Sequence, residues 1–190
     1  MNIFLSASVP LPNRDPQFFR TADVLAIRDA VKSLVIESAR IGTITFGGHP
    51  AITPLIALLV KQVLPDRVGS FVLYQSEFFF RYFPKENDSF IDVRVTEAVR
   101  DNRAASLALM RQRMLTHCNY DAAFFIGGME GVIEEFDLLR DLQPHVPLYP
   151  IASTGGAALQ LYERSAESNA DLLDELTYPT LFRNIFSSRR

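Results

Sequence analysis

The chain has 190 residues, 48% of them apolar and 22% charged, a composition that suits one compact domain with a sizeable core and excludes a disordered chain. Its formal charge of −3 removes the sequence-independent attraction to phosphate that supports bulk nucleic-acid binding, so any anionic ligand has to be held locally. The lone cysteine, Cys118, excludes an intramolecular disulfide, and apolar runs such as 56–60 fall far short of the roughly 20 residues that cross a bilayer.

At the N-terminus the apolar run 3–5 is interrupted by Ser6, Ser8, Pro10, Pro12 and Arg14 with no basic leader before it, so a cytoplasmic protein is expected. No run of five like charges and no internal repeat divides the chain, and a single domain over 1–190, with a short helical extension at 168–190, is the simplest organisation.

In chain order, β-rich runs predict strands over 2–7, 43–46, 70–74, 91–95, 122–126 and 147–151. Between them, Val24, Ile27, Val31, Leu34 and Val35 recur at helical spacing, which predicts a helix over 22–41. A second is predicted over 50–64, opened by Pro50. The aromatic stretch 75–90 lacks periodicity and reads as an ordered loop or a short helix. Helices are further predicted over 103–117, 131–142 and 155–164, and one or two short ones over 168–186, interrupted at Pro179. This alternation predicts an α/β, Rossmann-like three-layer sandwich with a mostly parallel central sheet.

Seven of the nine glycines fall in three strand-to-helix junctions: Gly47 and Gly48, then Gly127, Gly128 and Gly131, then Gly155 and Gly156. In a parallel sheet such junctions share the carboxyl ends of the strands, where open α/β folds bind ligands. Glycine permits close backbone approach, and the helix that follows offers unpaired N–H groups with partial positive charge, a suitable seat for phosphate. The same glycines also serve as plain tight turns.

These residues carry a resemblance. FGGHPAI at 46–52 and GGMEGVIEE at 127–135 resemble the two glycine-rich motifs of the SLOG superfamily, which joins LOG-type, lysine-decarboxylase-like phosphoribohydrolases to nucleotide-ligand sensor domains. Met110-Arg111-Gln112-Arg113 precedes the second motif at the family's spacing, and the likeness spans roughly 1–160. Ile126 stands where the hydrolases have proline, one residue is inserted between Gly128 and Gly131, and Val132 replaces a threonine. With TGGAA at 154–158 as a third motif, the chain is more similar to the SLOG proteins of bacterial conflict systems than to the hydrolases.

The resemblance implies binding or sensing of a nucleotide or nucleotide-derived ligand, with an ADP-ribose-like signal among the candidates, in bacterial antiviral defence or signalling. It also implies a homo-oligomer and an effector protein as a partner. The alternatives are a phosphoribohydrolase cleaving the N-glycosidic bond of a nucleoside 5'-monophosphate, and an assembly module with a vestigial pocket. For the hydrolase, Glu135 matches the family's carboxylate and Arg113 its arginine. Helical geometry points instead to Arg111, which shares the apolar face with Leu107, Met114 and Leu115 while Arg113 points nearly opposite.

The candidate ligand-binding set is Ser6, Ser8, Gly47, Gly48, His49, Arg111, Arg113, Gly127, Gly128, Met129, Glu130, Gly131, Glu134, Glu135, Thr154, Gly155 and Gly156. Each has a plainer reading as well. Glu134 and Glu135 suit the positive end of a helix dipole, His49 suits a turn before Pro50, Ser6 and Ser8 are ordinary turn hydroxyls, and Thr154 is an N-cap. Gln75 and Ser76, ending the third strand, could read a base or ribose edge, a weaker signal. No metal or other cofactor is expected, because His117 and Cys118 are adjacent and His145 lies elsewhere, without ligand spacing. No nucleophile elbow is present.

Overall fold

The computed structural model describes residues 1–165 and 169–188. The strands are β1 (Asn2–Ser8), β2 (Thr43–Gly47), β3 (Phe71–Ser76), β4 (Asp92–Thr96), β5 (Ala122–Gly127) and β6 (Leu148–Ile151). The helices are α1 (Pro16–Phe19), α2 (Val24–Ser38), α3 (Thr53–Gln62), α4 (Arg103–Thr116), α5 (Glu130–Leu142), α6 (Gly156–Arg164), α7 (Asp171–Asp174) and α8 (Tyr178–Ser187). All six strands are parallel, in the order β4-β3-β2-β1-β5-β6. The chain runs outward from β1 to β4, then returns to the other side of β1 as β5. That reversal is a topological switch point, with Ser8 of β1 in register with Gly127 of β5.

Successive strand residues point to opposite faces of the sheet, and the two cores divide accordingly. Ile3 and Leu5 of β1, with Phe124 and Ile126 of β5, pack under α2, α3 and α8. Phe4, Ala123 and Phe125 pack under α4, α5 and α6. Covering both faces requires strands apolar throughout, and β3 and β5 are buried at every position. The apolar stripe of α2, Ile27, Val31, Leu34 and Val35, is fully buried. Its start is set by Asp23, whose carboxylate accepts from the N–H groups of Leu25 and Ala26 at 2.9 and 3.0 Å.

Several boundaries differ from the sequence expectation, each for a local reason. Helix α3 begins at Thr53 rather than at 50, because the His49 carbonyl accepts from both Ile52 and Thr53 and closes a turn around Pro50. Pro54 then occupies the first helical turn. Pro179 starts α8 instead of interrupting a helix, and Tyr178, Leu181, Phe182, Ile185 and Phe186 bury one side of α8 in the core. The expected extension began at 168, which with 166, 167, 189 and 190 lies outside the described residues. The stretch 75–90 completes β3 and then forms two 3-10 turns, Glu77–Tyr82 and Lys85–Ser89. Among the described residues no helix is long and apolar enough to cross a membrane.

Candidate functional site

A cavity of about 570 Å³ lies over the carboxyl ends of β1, β2 and β3 and the start of α5, within the ~300–1,000 Å³ usual for small-molecule sites. Its charged wall joins three elements. Ser6 follows Phe4 on the α5-facing side of β1, and its hydroxyl donates to Glu135 Oε2 at 2.5 Å. From α4, Arg111 Nε donates to Glu135 Oε1 at 3.4 Å, and its terminal NH1 group pairs with Glu134. The side chains of Arg111 and Glu135 are only 14% and 13% exposed, whereas Glu134 is 49% exposed. Burial pushes the Glu135 carboxyl up from its ordinary value, against the opposing pull of Arg111 and the Ser6 hydroxyl.

The two flanking junctions differ in what they offer. Helix α5 has no side-chain cap; its Val132 N–H bonds to Met129 O, and the N–H groups of Glu130 and Gly131 have no acceptor among the described residues. Both residues line the cavity, so this helix start presents open donors to it. At the β2–α3 junction the donors are used internally. Gly48 N–H bonds to Tyr74 O, His49 N–H to Thr53 Oγ1 at 3.0 Å, and Ala51 N–H to His49 Nδ1 at 3.2 Å. That last bond assigns Nδ1 as acceptor and leaves Nε2 protonated. Burial and the Arg14 charge lower the His49 pKa to about 4, so the ring is a neutral donor at pH 7.

Ser6, Ser8, Gly47, Gly48, His49, Arg111, Met129, Glu130, Gly131, Glu134 and Glu135 line this one cavity. Arg113 is exposed on α4 and is not part of the lining, the placement that helical geometry indicated for it. Gly127, Gly128, Thr154, Gly155 and Gly156 do not line it either. They lock the ends of β5 and β6 together. Thr154 Oγ1 accepts from Gly127 N–H at 2.8 Å and donates to Ile151 O at 2.6 Å. Gly128 donates to Ser8 O at 2.8 Å and accepts from Ala157 N–H at 3.0 Å, at a φ of +91°. The third junction is equally occupied: Gly156 N–H bonds to Thr21 Oγ1 at 3.1 Å, and a Cβ on Gly155 would run into the Thr21 carbonyl.

Gln75 and Ser76, the weaker sequence signal, line the cavity as well, and the other walls were not among the candidate residues. Leu11, Arg14 and Asp15 come from the loop after β1, Arg103, Leu107 and Met110 from α4, and Phe79, Tyr82 and Phe83 from the turn after β3. The density of aromatics in an aperiodic stretch was the available signal for the last group. Among the described residues no three His, Cys, Asp or Glu side chains gather as a metal site.

A six-stranded parallel sheet with a cavity, one wall of it charged, beside its switch point defines a Rossmann-like α/β protein. No curated protein matches the chain. A family model, the SLOG cluster3 family, matches residues 17–186, and the chain belongs to that family. SLOG domains generally bind nucleotide-derived ligands.

Proposed function

We propose that this protein binds a nucleotide-derived ligand in the 570 Å³ cavity and acts as a sensor of it rather than as a hydrolase. The observation that carries the reading is the engagement of both glutamates by Arg111 on one side and of Glu135 by Ser6 on the other. A carboxylate held this way accepts hydrogen bonds from ribose hydroxyls at little reorganisation cost. Its charge is already engaged by Arg111, which blunts its use against a cation developing at an anomeric carbon. The open N–H groups of Glu130 and Gly131, with Arg14 at the rim, supply the donors for a phosphate or diphosphate.

The hydrolase remains the second reading, favoured by the buried, upward-shifted Glu135 carboxyl, the type of group used in acid–base catalysis. A vestigial pocket is disfavoured by the open α5 donors and the retained acid–arginine network. Family likeness to conflict-system proteins further supports a role in defence signalling, in a homo-oligomer that relays ligand binding to an effector protein; Arg113, exposed on α4, is available to such contacts. The test is paired: titration calorimetry against ADP-ribose and nucleoside monophosphates, and chromatography of the same mixtures for released base. Binding without base release is expected. Turnover above about 1 per second would make the protein an enzyme.

A further inference from the structure

The cavity extends beyond the acid–arginine wall to the end of β3, and there the side chains change character. Ser76 is 1% exposed and lines the cavity, yet its hydroxyl has no hydrogen-bond partner among the described residues. Such orphans are rare because a desolvated hydroxyl without a partner is costly, so each calls for an explanation. Gln75 precedes it on the opposite face of the strand, buried and lining the same cavity. Its amide nitrogen donates to Asn87 Oδ1 at 3.4 Å, which braces the side chain. A Cβ on Gly48 would collide with this amide, so glycine at 48 makes room for the Gln75 side chain.

Phe79, Tyr82 and Phe83, from the turn that follows β3, line the same cavity. Tyr82 is 79% exposed at the rim, and Phe79 is half-buried with the Arg103 guanidinium 6.0 Å from its ring centroid. A strand end with an unpartnered hydroxyl and a braced amide, lining one cavity with three aromatic rings, suits a flat heterocycle with a hydrogen-bonding edge. A phosphate has no apolar face to cover such a wall.

We propose that the end of β3 is the nucleobase subsite: the ring packs against Phe79 and Tyr82, and its polar edge bonds to Ser76, with Gln75 reading it from the other side. The inference rests on the nucleotide-ligand reading above and adds an orientation to it, with the base over β3 and the ribose and phosphate toward Glu135 and the α5 start. Ser76 then has two opposed effects. Its hydroxyl burdens the unliganded protein and contributes to the complex.

The experiment compares wild type with Ser76→Ala and Tyr82→Ala, by calorimetry with ADP-ribose, with the four common nucleoside 5'-monophosphates, and with ribose 5-phosphate, which lacks a base. Thermal unfolding is measured without ligand. At least one base-bearing probe is expected to bind wild type tenfold or more tighter than ribose 5-phosphate. Ser76→Ala should weaken that probe about five- to tenfold and Tyr82→Ala about tenfold, with ribose 5-phosphate unchanged by either. The unfolding temperature of unliganded Ser76→Ala should equal or exceed that of wild type, which separates a lost ligand contact from a damaged fold. If ribose 5-phosphate binds as tightly as every nucleotide, or if Ser76→Ala leaves the best nucleotide unchanged, the subsite is wrong while the ligand reading stands. If no probe binds, both are overturned.

Discussion

Replacing Arg111 by methionine keeps an unbranched side chain on α4 but removes the positive charge from the Glu135 site. Glu135 is 13% exposed and would keep only the Ser6 hydroxyl as partner. Breaking a fully buried ion pair from one side costs about 3–5 kcal/mol. Here both side chains retain some solvent contact, and the 3.4 Å Nε–Oε1 separation is long, so about 2 kcal/mol is the appropriate scale. The half-exposed Glu134 adds about 0.5 kcal/mol at most.

In wild type the folded-state carboxyl of Glu135 already lies above its unfolded value. Without Arg111 it rises further, so the native state holds an extra proton over a wider pH window. A carboxyl of this kind weakens the fold at pH above its folded value, and that penalty disappears as pH falls through the folded value toward the unfolded one. The variant should therefore lose about 2 kcal/mol at pH 7.5, or about 5 °C in unfolding temperature, and the deficit should be smaller at pH 5, because it shrinks as pH falls. Urea unfolding followed by circular dichroism at both values reads this directly. The double variant Arg111→Met/Glu135→Gln should recover much of the loss at pH 7.5, because no charge is then left buried. An equal deficit at both pH values, or no recovery in the double variant, refutes the electrostatic account of the wall.

Glu135→Gln alone should weaken binding of a nucleotide-derived ligand by about tenfold at most, since it weakens hydrogen bonds to ribose while Arg111 keeps Glu134 as its partner; a 100-fold or greater loss of base-releasing turnover would support the hydrolase instead. Gly128→Val should act mainly on stability, by at least about 1–3 kcal/mol, because Gly128 has φ +91° and its Cβ would strike Val132; a fully stable variant with impaired binding would contradict its place in the packing. His49, with its pKa lowered to about 4 from 6.5, contributes stability present above pH 6.5 and lost as pH falls toward about 4. His49→Gln should flatten the stability profile across that interval, and an unchanged profile counts against a neutral His49. Asp23→Ala removes the α2 cap and should cost about 1 kcal/mol, measured as a fall in unfolding temperature.

Much of the fold was legible in the sequence because it depends on local periods. Val31, Leu34 and Val35 repeat at helical spacing and could bury themselves only as a helix, while the apolar run 122–126 flanked by turn residues suits a strand covered on both faces. The clustering of glycines at strand ends marked the edge of the sheet that carries the cavity, since parallel strands put those ends on one side. Helical phase also separated Arg111 from Arg113, two residues apart on α4. The uses of the glycines were not local. Whether an N–H at Gly48, Gly131 or Gly156 meets Tyr74, Thr21 or open space depends on elements distant in sequence, and no period encodes that. The same holds for the Gln75–Asn87 brace, the aromatic wall from an aperiodic stretch, and the arrival of Arg14 and Arg103 at one rim. Local periodicity specified the main elements and their layering. The tertiary structure alone decided which polar groups are consumed by packing and which are left facing the cavity, because a hydrogen-bond partner brought by folding from a hundred residues away leaves no trace in local pattern.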